Sequence, residues 1–130
     1  GGIGDGALDS ERAPLRPNLI ADAIEAPDMD AVTDPIAKQF RVFAERGGND
    51  LRALAAAMRR PRVPSDPDGV KRIRQPVLVL VGAHDNIAGG AERLAAAIPG
   101  AQLVIVPDRN HMTVVGDPRY KEAVLKFLQD

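Results

Sequence analysis

Two side chains able to do acid–base chemistry stand just past the ends of two short aliphatic runs. The stretch Gln75 to His111 reads QPVLVLVGAHD, then a short intervening segment, then QLVIVPDRNH. Asp85 follows Gly82 by three residues, and His111 lies five residues beyond Val106. A carboxylate beside an imidazole holds its tautomer and stabilises the imidazolium that forms when the ring takes a proton. An imidazole so placed is a general base for a hydroxyl nucleophile. The neighbours of the pair are read more plainly. His84 points away from Asp85, Asp108, Arg109 and Asn110 are turn formers and rim residues, and Met112 lines a pocket or packs beneath the histidine.

The elements that must position this pair form a βαβ unit. Pro76 to Gly82 holds five consecutive branched aliphatics between Pro and Gly, the pattern of a strand buried on both faces. Gly89 to Ile98 is helical, with Ala91, Leu94, Ala95 and Ile98 on one face, and Pro99-Gly100 stops it. Leu103 to Val106 is a second buried strand. A crossover helix makes the two strands parallel and the connection right-handed. Functional groups gather at the carboxyl ends of such strands, so the 26 positions between Asp85 and His111 close into one site. Asp117-Pro118 opens a last helix, with Tyr120, Ala123, Val124, Phe127 and Leu128 facing in.

The region before it is helical. A first helix covers Arg16 to Glu25 and ends at Ala26-Pro27. Thr33 caps a second, with Pro35 in its first turn, and Ile36, Phe40, Phe43 and Ala44 form its apolar stripe. Gly47-Gly48 ends it. Asn49 or Asp50 caps a third, where Leu51, Leu54, Ala55 and Met58 repeat the pattern. These stripes read as core packing, or as the apolar faces of a mobile lid lining a substrate pocket through Phe40 and Phe43. Pro61, Pro64 and Pro67 make a stiff linker, and Asp66 or Asp68 caps a brief helix from Gly69 to Ile73. Two parts are expected: residues 1–64, a strand-exit loop with a helical lid, and residues 65–130, the βαβα part.

Composition narrows the function classes. The chain has 130 residues, 45% apolar and 27% charged, with a net charge of −1. That balance gives no footprint for nucleic acid or an anionic membrane. Aromatics are limited to Phe40, Phe43, Phe127 and Tyr120, too few for base stacking. There is no Cys, which excludes disulfides, thiolate metal sites and thiol nucleophiles. The apolar run Val77 to Val81 is far too short to span a bilayer, and no signal-peptide pattern opens the chain, so a cytoplasmic setting is expected. Gly2-x-Gly4-x-x-Ala7 matches a relaxed dinucleotide fingerprint, but no strand precedes it and no convincing helix follows; a strand-exit loop is the expectation. A start at Gly1, without Met and inside a glycine cluster, reads as a cut or processed end.

GAHD after one buried strand, NH after the next, and then a closing helix resemble the C-terminal part of an α/β-hydrolase, over about Ile73 to Phe127. Family order is nucleophile, acid, histidine. The resemblance implies that Asp85 is the triad acid and His111 the triad base, and that the helices of Ala13 to Arg60 occupy the place of the family's lid. It implies hydrolysis of a small carboxylic ester, with no metal and no cofactor. Two positions depart from the family pattern: Asn110 stands where glycine often precedes the histidine, and Asn86-Ile87-Ala88 lacks the proline often found after the acid. Both loosen any inference about substrate.

The family's nucleophile sits in G-x-S-x-G between a strand and a helix. The serines here are Ser10, in LDSER, and Ser65, in VPSDP; neither has that setting, and an elbow carrying Asp is also missing. The expectation is therefore a piece of a larger catalytic unit, inactive alone. A two-stranded sheet makes no stable core and leaves the Val77 to Val81 edge apolar. Either an N-terminal part of the same protein or a second copy should cover it. The alternative is a non-catalytic module that dimerises through that edge. Epoxide hydrolase and dehalogenase chemistry also stay open, since the nucleophile separates them.

Overall fold

The computed structural model describes residues 4–8, 17–60 and 66–129. The chain divides into a helical unit, Ala13–Val63, and an α/β unit made of Gly1–Arg12 with Pro64–Asp130. The N-terminal glycine segment, expected with the helices, thus groups with the strands.

In the helical unit, α1 spans Pro17–Glu25, α2 Pro35–Arg46 and α3 Leu51–Arg59. Pro35 takes the first helical position of α2, where a missing N–H costs nothing. The cap is therefore Asp34, not the expected Thr33, and its carboxylate accepts the Ala37 N–H at 2.8 Å. Asp50 caps α3 by accepting from Arg52 and Ala53. Ile20, Ala21, Ala23 and Ile24 of α1 pack with Val32, Ala37, Ala44 and Ala55 in one apolar cluster, flanked by Phe40, Leu51, Leu54 and Met58. The buried face of α2 is Ala37, Arg41 and Ala44, rotated from the expected stripe. Small side chains there let the helices approach, and Phe43 is left 58% exposed. Arg41 is buried because α1 supplies its acceptors. Its Nη1 donates to the carbonyls of Ala23, Ile24 and Ala26, at a helix end that has no intrahelical donors left. Its Nε donates to Glu45 at 2.7 Å.

In the α/β unit, α4 spans Pro67–Lys71, β1 Leu78–Gly82, α5 Ala91–Ala97, β2 Gln102–Val106 and α6 Pro118–Phe127. The strands are parallel, in register from Leu78↔Gln102 to Gly82↔Val106, and α5 and α6 each pack on both. The full burial expected of the strands is not reached. Val79, Gly82 and Val106 are buried, but Ile105 is 43% exposed. Among the described residues the sheet has only these two strands, so neither is flanked on both sides. Leu128, expected to face in, is the C-cap residue of α6 and is 72% exposed.

Gly4–Ala7 form one turn of 3-10 helix packed against α5. Gly4 has φ +47°, and a Cβ there would lie 2.2 Å from the Ala88 carbonyl oxygen, so only glycine fits. Residues 1–3 of the glycine cluster lie outside the described residues. No described helix is long and apolar enough to cross a membrane.

Candidate active site

The two loops that carry Asp85 and His111 are joined along their backbones. Ala83 N–H donates to the Val106 carbonyl at 2.9 Å, and His84 N–H to the Arg109 carbonyl at 2.8 Å. Gly82 permits this approach, since a Cβ there would come within 2.3 Å of the Arg109 carbonyl oxygen. The His84 side chain is exposed and takes no part.

Asp85 uses both carboxylate oxygens. Oδ1 accepts the N–H groups of Ile87 and Ala88, each at 2.9 Å, which folds the turn after β1. Oδ2 faces His111 Nδ1 at 2.9 Å. Burial works against ionisation of Asp85. The Ala88 N–H, the His111 ring and the Ile87 N–H outweigh it and hold the carboxyl below its ordinary value. An ionised carboxylate only accepts, so the shared proton belongs on Nδ1 and the neutral ring keeps its lone pair on Nε2. The side chain of Asp85 is 4% exposed and that of His111 15%, a buried carboxylate behind a ring that solvent still reaches.

His111 sits in a single turn organised by Asn110. Asn110 Oδ1 accepts from Met112 N–H at 3.0 Å and from Thr113 N–H at 3.1 Å, and its carbonyl accepts from Val114 N–H at 3.0 Å. The residue that departs from the family pattern is thus a turn former, as read from sequence. Met112 is half-buried in that turn. Phe40 and Phe43 belong to α2 of the helical unit, Phe40 against its apolar cluster and Phe43 exposed. Ser10 and Ser65 lie outside the described residues. Among the described residues, no three His, Asp or Glu side chains are grouped to hold a metal ion.

A groove of about 340 Å³ runs from the pair along β1. Asp85, His111 and Gly4 line it together with every residue from Val77 to Val81, and Leu94, Ile98 and Tyr120 also border it. Successive strand residues point to opposite faces, so a groove touching five in a row follows the strand's edge. Gln102 N–H donates to Val77 O, and Ala83 N–H to Val106 O. Odd-numbered residues of β1 therefore direct their backbone groups to β2, and Leu78 and Leu80 direct theirs into the groove.

Sequence reading missed the ion cluster behind the histidine turn. Asp117 caps α6 through the Arg119 N–H at 2.9 Å. It also receives Arg109 Nε at 2.7 Å, Arg119 Nε at 2.9 Å and Arg119 Nη2 at 2.9 Å. The Arg119 guanidinium, against the cost of burial and with its own N–H and Arg109 adding to it, holds the Asp117 carboxyl far below the usual range. Asp-Pro signals a cap; nothing in the spacing signals that two arginines converge on it.

Parallel strands with a crossover helix, and an acid and a histidine at their carboxyl ends, define a partial α/β-hydrolase fold. Known structures agree. The chain is similar to a hydrolase from Pseudomonas aeruginosa, with 28% identity and a TM-score of 0.59 over 85% of this chain and 48% of that one. It is also similar to an enol-lactonase from Burkholderia xenovorans, with 19% identity and a TM-score of 0.63 over 99% and 61%. A carboxylesterase from Bacillus subtilis matches with 22% identity and a TM-score of 0.50 over 85% and 44%. The chain spans about half the length of these proteins. No family model and no curated protein matches its sequence.

Proposed function

We propose that the chain carries the acid and the base of a Ser-His-Asp triad in a cytoplasmic hydrolase of small carboxylic esters. The observation that carries this reading is the 2.9 Å contact between His111 Nδ1 and Asp85 Oδ2 at the ends of adjacent parallel strands. In the reaction, Nε2 of His111 takes the proton of a serine hydroxyl as its oxygen attacks the ester carbonyl, then returns that proton to the leaving alkoxide. Asp85 keeps Nδ1 protonated throughout. Water repeats the sequence to release the acid. The serine comes from a part of the protein beyond this chain, and the chain alone is inactive. Met112, half-buried next to His111, is the residue proposed to meet the substrate. The identity of the nucleophile decides between this chemistry and that of an epoxide hydrolase or dehalogenase.

The occupant of the β1 groove in this reading is a parallel strand from the N-terminal part of the same protein, bonded to Leu78 and Leu80. The open edge also favours a second reading, a non-catalytic module in which two copies pair through β1. A fluorophosphonate probe separates them. Labelling of the protein that joins this chain to its nucleophile, lost in His111→Ala, supports the triad. Failure to label, with a dimer of this chain in sedimentation, supports the module.

A further inference from the structure

The histidine loop, residues 107–117, is closed at its ends by charge. Arg119 donates both to the Pro107 carbonyl, at 3.1 Å, and to Asp117, so it links the first and last residues of the loop. Arg109 holds two parts at once. Its carbonyl accepts the His84 N–H next to Asp85, and its Nε reaches Asp117 at the far end. The Asp117 side chain is 2% exposed, and its two oxygens take four hydrogen bonds, which fills the acceptor sites of a carboxylate. One continuous path therefore runs from the acid loop through Arg109 to Asp117, and His111 lies between its two ends. The apolar contribution to this loop is small, since Val114 is its buried hydrophobic residue while Val115 is 51% exposed.

We propose that Arg109 and Asp117 are positioning residues that set the orientation of His111 against Asp85. They touch no substrate; they act by fixing the loop from which the imidazole projects. The inference rests on the triad reading for its functional meaning, but its test needs no turnover, so the two fail separately.

The test is the tautomer of the neutral His111 ring, read by long-range proton–nitrogen NMR on the 130-residue protein. In the wild type the Nδ1–H form should dominate, and Asp85→Asn should give a mixture. Arg109→Gln should move the ring to that same mixture, and Arg109→Gln with Asp85→Asn should move it no further. Arg109→Lys, which keeps the charge, should restore part of the Nδ1–H form. Asp117→Asn keeps an acceptor for the α6 cap and should behave as Arg109→Gln does. Circular dichroism checks that α6 persists. Should Asp117→Asn unfold, Arg109→Gln decides alone, since its side chain is 38% exposed. An unchanged Nδ1–H population in folded Arg109→Gln would overturn the proposal.

Discussion

Among the described residues, the charged residues buried as whole residues are Arg41 in the helical unit and Asp117 in the α/β unit. Their surroundings differ. Arg41 lies against a connected apolar cluster and donates to the carbonyls of Ala23, Ile24 and Ala26 at and just past the end of α1. Asp117 lies at the end of a loop and collects two guanidiniums, beside strands that are only half covered. The first unit is held by packing that charge completes. The second holds Asp85 against His111 by hydrogen bonds between loops, with one strand edge left uncovered among the described residues. A deletion of apolar volume should therefore hurt the helices more, and a change in loop spacing should hurt the site more.

The largest expected effect tests the first half of that contrast. Ile20→Ala removes a side chain that is 2% exposed within the cluster and should cost about 2–5 kcal/mol in urea denaturation. Ile98→Ala removes an equally large group, 5% exposed. It borders the open groove, where solvent can enter the space left behind, so its loss should fall at or below the low end, about 2 kcal/mol. Equal losses would break the contrast.

Gly82→Ala tests the second half. Its Cβ would press on the backbone of Arg109 at 2.3 Å, and forcing the loops apart should cost about 1–3 kcal/mol. The amide resonances of His84 and Asn110 should shift, and ester turnover by the catalytic protein should fall by more than that stability loss explains. Unmoved amides would show that the loops are not tied at this point.

The smallest effect is acid sensitivity. The folded-state pKa of Asp85 lies below its ordinary value of 3.8. The stability it adds is complete above that value and is lost as pH falls through the lower, folded-state pKa. Asp85→Asn should flatten the decline in stability below about pH 4 that the wild type shows, in urea melts taken at stepped pH. The same slope in both would remove Asp85 from the account of acid stability.

How much of this was legible in the sequence follows from what each feature depends on. The βαβ order, a cap at Asn49 or Asp50 (the structure uses Asp50), the opening of α6 at Asp117-Pro118, and the pairing of Asp85 with His111 follow from local pattern and from the rule that parallel strands place their carboxyl ends together. The strand burial was overread, because a run such as VLVLV reports the sheet it suits and not the number of neighbours present. The rotation of α2 was missed because Arg41 reads as a surface residue until the end of α1 and the residue after it present three carbonyls to it. The convergence of Arg109 and Arg119 on Asp117 depends on the path of a loop, which no periodicity encodes. Gly4 looked like part of a nucleotide motif, and its need for glycine comes instead from contact with Ala88.

The central claim is that Asp85 and His111 act as one unit in catalysis. The direct measurement is kcat/KM for ester hydrolysis by the protein that joins this chain to its nucleophile, in the wild type, Asp85→Asn, His111→Ala and the double variant. The account predicts that Asp85→Asn loses about 10⁴-fold, that His111→Ala loses at least as much, and that the double variant is no slower than His111→Ala. Losses that multiply in the double variant, or an Asp85→Asn enzyme with full activity, would contradict it.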